Sequence, residues 1–265
     1  MTIHATAVID PSAELDSSVK VGPYAVIGAD VRIGADTIVE PHAVVSGPST
    51  IGRRNLIGSF ATVGGAPQDL SYKGEPTELI IGDDNQIREY ASIHRGTPGG
   101  KKKTVIGNNN LLMAYIHIAH DCVIGNNVIM ANVATLAGHV EVGDNASIGG
   151  LVAVHQFCRI GTFSYIGGIS GLGLDVPPYV IVAGTRNRTR VSGINKVGLR
   201  RNGFSRETIS RLDATFRIIY RSPNLLLKDA LVQARQEFPD CREVAQMIEF
   251  FDTSKRGVVR RTSED

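Results

Sequence analysis

The sequence predicts an all-β solenoid, a three-sided parallel β-helix with six-residue sides, followed by an α-helical C-terminal domain. Three observations predict it. Stepping by six from Ile3 meets Ile9, Leu15, Val21, Ile27, Ile33, Val39, Val45, Ile51, Ile57 and Val63, eleven aliphatic residues in eleven positions. Two positions before each comes a mostly small residue, such as Ala7, Ala13, Ala25, Ala43 and Ala61, and Gly often follows it, as at Gly22, Gly28, Gly34, Gly52 and Gly58. The composition agrees, since 29 of 265 residues are Gly, aromatics make up 6% and Trp is absent, which favours turns over a bulky helical core.

A period of six fits neither a helix at 3.6 nor a plain hairpin strand. It fits a short strand followed by a turn. The small–x–aliphatic alternation puts both residues on one face of a strand, and the next residues, rich in Gly, Asp and Asn, turn the chain. Three such sides close a triangular coil. The step resumes at Ile81, Ile87 and Ile93, and again from Ile106 to Leu172, giving 26 six-residue sides in all. At ~4.8 Å per coil the prism is roughly 40 Å long. Residues 66–79 and 97–105 break the period. A solenoid excludes insertions from its coils, so both must loop outward, where loops often carry function.

The repeat stops near Pro177-Pro178, and the β-helix is assigned to 1–189 and a helical domain to 190–265. Ser205 is an N-cap for a helix beginning at Arg206. Ser222-Pro223 opens a second, from Asn224 to Phe238, with Pro in its first turn. Pro239-Asp240 opens a third, from Cys241 to Arg256, ended by Gly257.

Charge and cysteines narrow the function. Net charge is +2, too small to suggest a nucleic-acid partner. The charge is split, however: residues 1–185 carry 11 basic and 16 acidic side chains, and residues 186–265 carry 17 and 10. The basic helical part suits an acidic or phosphorylated partner. No apolar run reaches the ~18–20 residues of a membrane helix, and the N-terminus lacks the basic start and apolar stretch of a secretion signal. The cysteines, Cys122, Cys158 and Cys241, are odd in number and lack zinc or redox spacing. A cytoplasmic protein with reduced thiols is expected.

Four of the seven histidines, His117, His120, His139 and His155, fall within 39 residues. None occupies the inward aliphatic position, so each points outward or sits at a corner. His139 lies 19 residues after His120 and His155 a further 16, so the three stack on neighbouring coils near one edge. Asp121 lies 18 residues before His139, directly beneath it. Imidazoles in a row beside a carboxylate suit general acid–base work. A zinc site built on these histidines is the main metal alternative; the pattern of zinc-binding β-helix hydratases needs two histidines about five residues apart, and no partner follows His155 at that spacing. No metal is expected.

The stretch HIAHDCVIGNNVIMANVATLAGHVEVGDNASIGGLVAVHQFCRIG, residues 117–161, resembles the bacterial UDP-N-acetylglucosamine O-acyltransferases of the hexapeptide-repeat superfamily. So do Gln68-Asp69-Leu70, Gly74-Glu75-Pro76-Thr77, Ile93-His94-Arg95-Gly96, Asp175-Val176-Pro177-Pro178-Tyr179, and Gly198-Leu199-Arg200-Arg201 with Gly203-Phe204. The resemblance covers essentially the whole chain. It implies a left-handed β-helix, a homotrimer with sites between adjacent prisms, and transfer of an (R)-3-hydroxyacyl chain from acyl carrier protein to the sugar 3-hydroxyl of UDP-N-acetylglucosamine, the first step of lipid A synthesis. A flat β-helix face offers no pocket alone, which independently calls for a neighbour.

Carried residue by residue, the resemblance implies that His120 is the general base, that Asp121 orients it, and that the Gly138 N–H is an oxyanion donor. Asp69 would hold the sugar, and His117, His139, His155 and Gln156 would position sugar, pantetheine or acyl groups. Asn195 and Arg201 would meet the nucleotide. Gly168 matches the acyl-chain ruler, with Arg186 near the same end, which implies a long hydroxyacyl donor. No cofactor is implied, because phosphopantetheine arrives on the carrier protein. The chain departs from the family pattern at Ser71, where a lysine is usual and Lys73 stands nearby, at Arg201-Asn202 in place of two arginines, and over 185–195, which is about two residues longer. An acetyltransferase using coenzyme A, a zinc hydratase and a non-catalytic scaffold remain the alternatives on this fold, and the acceptor could bear a 3-amino group.

Overall fold

The computed structural model describes residues 2–185, 188–222 and 224–260. Among these, short parallel strands wind into a left-handed β-helix whose three faces are sheets of eleven, nine and eight strands. Coils stack in register: Ile3 lies beside Val21, Val21 beside Val39, and Ile124 beside Val142. The six-residue step therefore becomes three internal columns of aliphatic side chains. From Val21 onward these columns are buried, and each such side chain contributes about 1.5–3 kcal/mol relative to leaving it in water. Ile3 is 41% exposed, because no coil lies below it.

The turns dictate which side chains can gather. From Tyr24 onward most corners place one residue in the left-handed region, and most of these are not glycine. Asp121, His139 and Phe157, at φ of 61°, 64° and 65°, stack at one corner; Tyr90, Tyr115, Val133, Leu151 and Ile169 stack at another. The strain of a β-branched residue there is offset by register that repeats coil after coil.

Both insertions leave from the same corner. The first joins Thr62–Gly65 to Glu78–Ile81, and the second joins Ser92–His94 to Lys103–Ile106, each time passing from the nine-stranded to the eight-stranded sheet. Across them the pairing separation lengthens, Val63 meeting Ile93 and Ile81 meeting Ile106, while the columns continue unbroken. The corner they overhang is the one that carries Asp121 and His139.

The C-terminal part departs from the sequence reading in detail. The chain does not turn helical at 190. Arg190–Ile194 first folds back antiparallel on Val180–Ala183, closing the eleven-stranded sheet. A short helix absent from the expectation follows, α1 (Lys196–Arg201). Then come α2 (Arg206–Tyr220), α3 (Leu227–Glu237) and α4 (Arg242–Asp252). Ser205 caps α2 as expected, its side chain accepting from the Thr208 N–H. Leu227 opens α3, three residues later than read, and Pro223 lies outside the described residues. The last helix ends at Asp252 rather than at Gly257, because the tail returns to the prism: Asp175 donates to the Gly257 carbonyl and accepts from the Val259 N–H. The exposed end of the solenoid is thus capped.

Candidate active site

His120 and Asp121 form the turn between strands His117–Ile118 and Val123–Ile124. Nδ1 of His120 lies 2.8 Å from Oδ2 of Asp121. A carboxylate only accepts, so Nδ1 carries the hydrogen, and Nε2 is the ring nitrogen not engaged by the carboxylate. Asp121 is fully buried, and His120 is partly exposed. Burial alone would raise the Asp121 pKa, but hydrogen bonds from the Thr97 hydroxyl, His120 and the Thr97 N–H outweigh it and hold the carboxyl below its ordinary value. The pair is an ionised carboxylate orienting an imidazole.

One coil above, Gly138 brings bare backbone against the ring. A Cβ there would sit 2.5 Å from Cε1 and 2.7 Å from Nε2 of His120. Glycine is required by this close approach, not by its φ. The Gly138 N–H makes no hydrogen bond among the described residues, and the Gly138 backbone lies close against the imidazole. His139 completes the group. Its N–H donates to the His120 carbonyl at 2.9 Å, its Nε2 lies 3.9 Å from Asp121 Oδ2, and its ring stacks on Phe157. The 18-residue spacing from Asp121 to His139 does bring those two together.

Other sequence-selected residues fall around this corner. Asp69, on the first insertion, accepts from the N–H and hydroxyl of Ser71 at 2.8 and 2.7 Å. Those bonds hold its pKa below the ordinary value, with smaller contributions from His120 and His139. Ser71, which stands where a lysine is usual, therefore fixes the loop aspartate. The Lys73 amine turns back to donate to the Leu70 carbonyl. His117 lies edge-on to His94 at 4.9 Å, with Ser92 Oγ 3.3 Å from its Nδ1. His155 Nδ1 lies 2.8 Å from Arg256 Nη2 and 3.2 Å from the Gln156 carbonyl oxygen. Gln156 is exposed at the turn beside it.

Three residues fall elsewhere. Asn195 bonds the Phe163 carbonyl and caps α1 at the Gly198 N–H. It sits at the Phe163 corner, and Arg201 is exposed on α1; the fold of one chain does not bring either to His120. Gly168 precedes Ile169 at the apolar corner, and a Cβ there would meet only the Gly150 backbone, at 3.2 Å from its oxygen. Arg186 lies outside the described residues.

Sequence reasoning passed over His94, Thr97 and Arg256 as site residues. His94 had a readable signal, since it follows its inward Ile93 as His155 follows Val154. Burial and the charges of His117 and His120 lower its pKa from 6.5 to about 4. The unfolded chain protonates His94 near 6.5 and the folded chain only near about 4, so its contribution to stability is present above 6.5 and is lost as pH falls to about 4. His117 and His139, also lowered by burial, act in the same direction. The melting temperature should fall over this window, and His94→Gln should flatten that dependence in a calorimetric pH series.

The ligand atoms of His120, Asp121 and His139 lie within 4.8 Å of one another, the spacing a metal ion could use. Asp121 Oδ2 is already occupied by two Thr97 donors and His120. Beside His139 a cavity of about 700 Å³ opens, walled by Phe157, Lys101, Arg159, Lys255 and Arg256. The nearby thiols are not nucleophiles: burial pushes Cys122 up to about 12 and Cys158 to about 11.

Comparisons with known proteins identify the family. Residues 175–259 match the family described as UDP N-acetylglucosamine O-acyltransferase, domain 2, and residues 30–65 and 103–138 match the bacterial transferase hexapeptide family. The acyl-[acyl-carrier-protein]--UDP-N-acetylglucosamine O-acyltransferase of Trichlorobacter lovleyi is 55% identical over 98% of this chain and 100% of its own. That of Thermodesulfovibrio yellowstonii is 51% identical over 97% and 99%. The solved structure of LpxA from Acinetobacter baumannii superimposes with a TM-score of 0.94 at 46% identity, covering 98% of this chain and all of that one. The chain is an acyltransferase, and it belongs to the UDP-N-acetylglucosamine O-acyltransferase family.

Proposed function

We propose that the protein transfers an (R)-3-hydroxyacyl chain from acyl carrier protein to the 3-hydroxyl of the sugar in UDP-N-acetylglucosamine, the first step of lipid A synthesis. The observation that carries this reading is the His120–Asp121 pair lying against the Gly138 backbone. His120 Nε2 takes the proton of the 3-hydroxyl as the oxygen attacks the thioester carbonyl. The negative charge on the carbonyl oxygen is met by the Gly138 N–H. The tetrahedral intermediate then collapses, the C–S bond breaks, and the proton on His120 passes to the leaving pantetheine sulfur. Asp121 stabilises the imidazolium between these steps. A thioester is already activated for this exchange, so the reaction calls for no cofactor beyond the phosphopantetheine on the donor.

Asp69 and Lys73 overhang the corner from the first loop, and His117, His139, His155 and Gln156 line it for the sugar, pantetheine and acyl chain. Asn195 and Arg201 reach the nucleotide from a neighbouring subunit, since within one chain they belong to another corner. A homotrimer is the proposed assembly. It accounts for the apolar corner of Tyr24, Phe60, Tyr90, Tyr115, Leu151 and Ile169 and the adjoining outward Ile38 and Ile129, all more than a third exposed in a single chain; apolar area on this scale marks an interaction surface. The substrates are cytoplasmic, which sets the proposed location. No helix of the described residues is long and apolar enough to cross a membrane.

The outward row of the nine-stranded sheet runs His117, Thr135, Ala153, Gly171, shrinking toward Gly168. It forms a floor on which a long acyl chain can lie. A panel of (R)-3-hydroxyacyl carrier proteins offered with UDP-N-acetylglucosamine should reveal one preferred long chain, and Gly168→Met should shift the preference to shorter donors. Unchanged preference defeats the ruler assignment, and no transfer from any donor defeats the reading as a whole.

A further inference from the structure

We propose that the second inserted loop is a clamp on the Asp121 carboxylate, and that Thr97 is a positioning residue that sets the charge and orientation this carboxylate presents to His120. Thr97 is buried and spends both its donors on one atom: its hydroxyl and its N–H lie 2.6 and 3.1 Å from Asp121 Oδ2. That is the oxygen on which His120 Nδ1 rests at 2.8 Å. Among the described residues Asp121 Oδ1 has no hydrogen-bond partner, and the donors that shape the carboxylate act through Oδ2.

The loop is built around this contact. The Gly100 and Lys102 N–H groups both donate to the Thr97 carbonyl, closing the loop on itself. A Cβ on Gly100 would lie 2.4 Å from the Asp121 carboxyl carbon, so the loop packs down on the carboxylate as closely as backbone can. Lys101 anchors the outer side through Glu141 at 2.7 Å. From below, the Asp121 N–H donates to Thr104 Oγ1. The aspartate is thus shut between coil and loop, and only its His120 side meets the site.

Removing the Thr97 hydroxyl takes one of three donors from Oδ2. The charge then falls more heavily on His120, which favours its protonated form. The other groups facing this pair are His139 and Cys122 on the prism, Lys101 on the same loop, Asp69 on the first loop, and His94 and His117 below; none of these changes in the variant. The expected result for Thr97→Val is a roughly ten- to hundredfold fall in kcat, with KM for the sugar nucleotide almost unchanged. The acid limb of the kcat/KM profile should move upward. Thr97→Ser, which keeps the hydroxyl, should restore both.

The kinetic effect rests on His120 being the base. The effect on the pair does not, and it is read separately by following the His120 ring through a histidine-selective NMR titration of each full-length variant. An upward shift in Thr97→Val, reversed in Thr97→Ser, supports the clamp even where His120→Ala unexpectedly keeps activity, an outcome that would overturn the base assignment instead. A wild-type titration and pH profile in Thr97→Val overturns the clamp. So does a Thr97→Ser protein as impaired as Thr97→Val, since packing of the methyl group would then be responsible. Thr97→Ala takes the place of Thr97→Val if the valine variant does not fold, with the same two readings.

Discussion

His120→Ala is expected to lower kcat by about a thousandfold or more while leaving the fold and the binding of UDP-N-acetylglucosamine largely intact. A positioned general base typically contributes 10²–10⁴-fold, and here no other group can take its place. His139 is the nearest imidazole, ring centroids 5.1 Å apart and edge-on. Its Nε2 is turned toward Asp121, and its face is covered by Phe157. Asp121 is sealed from solvent and held ionised by its hydrogen bonds, so it supports a base without being able to reach a substrate hydroxyl. The fold should survive, because His120 is a partly exposed turn residue and the columns that carry stability run through Ile118 and Ile124. Single-turnover transfer together with a thermal melt separates the two effects.

Gly138→Ala should be nearly as damaging, by a different route. The position does not need positive φ, so alanine is compatible with its backbone. The added methyl nevertheless falls 2.5–2.7 Å from two ring atoms of His120, well inside van der Waals contact. The ring must rotate away from Asp121, or the coil must open, and the approach to the Gly138 N–H is narrowed. Loss of one oxyanion donor alone costs about 10²–10³ in kcat, and displacement of the base adds to it. The expected outcome is a fall of about a thousandfold in kcat with a melting temperature within a few degrees of wild type. A variant at half the wild-type rate would show that neither the ring nor the N–H matters in the way the geometry requires.

Much of this was legible in the sequence, for a physical reason. In a solenoid, position along the chain modulo one coil fixes position on the prism, so spacing alone stacks Asp121 under His139, whereas Gly138 comes from the family resemblance. What the period cannot encode is the path of segments that leave it. The burial of Asp121 comes from Thr97 and Gly100 on an insertion, and the orientation of His155 comes from Arg256, 101 residues away. Neither has a periodic signature. The C-terminal misreadings have the same origin. Arg190–Ile194 becomes a strand because the edge of Val180–Ala183 is open to it, and Gly257 lies outside α4 because the flanking valines find a place on the last coil. Local propensity cannot see either surface. Asn195 and Arg201 come from the family resemblance, and in one chain they lie away from His120.

The most direct measurement is to incubate the purified protein with UDP-N-acetylglucosamine and a long-chain (R)-3-hydroxyacyl carrier protein and to locate the new acyl group by NMR. The His120 corner predicts one product, an ester at the sugar O-3, formed from the carrier thioester and not from acetyl-CoA supplied in excess. No product, transfer only to a 3-amino sugar, or equal use of acetyl-CoA would contradict it.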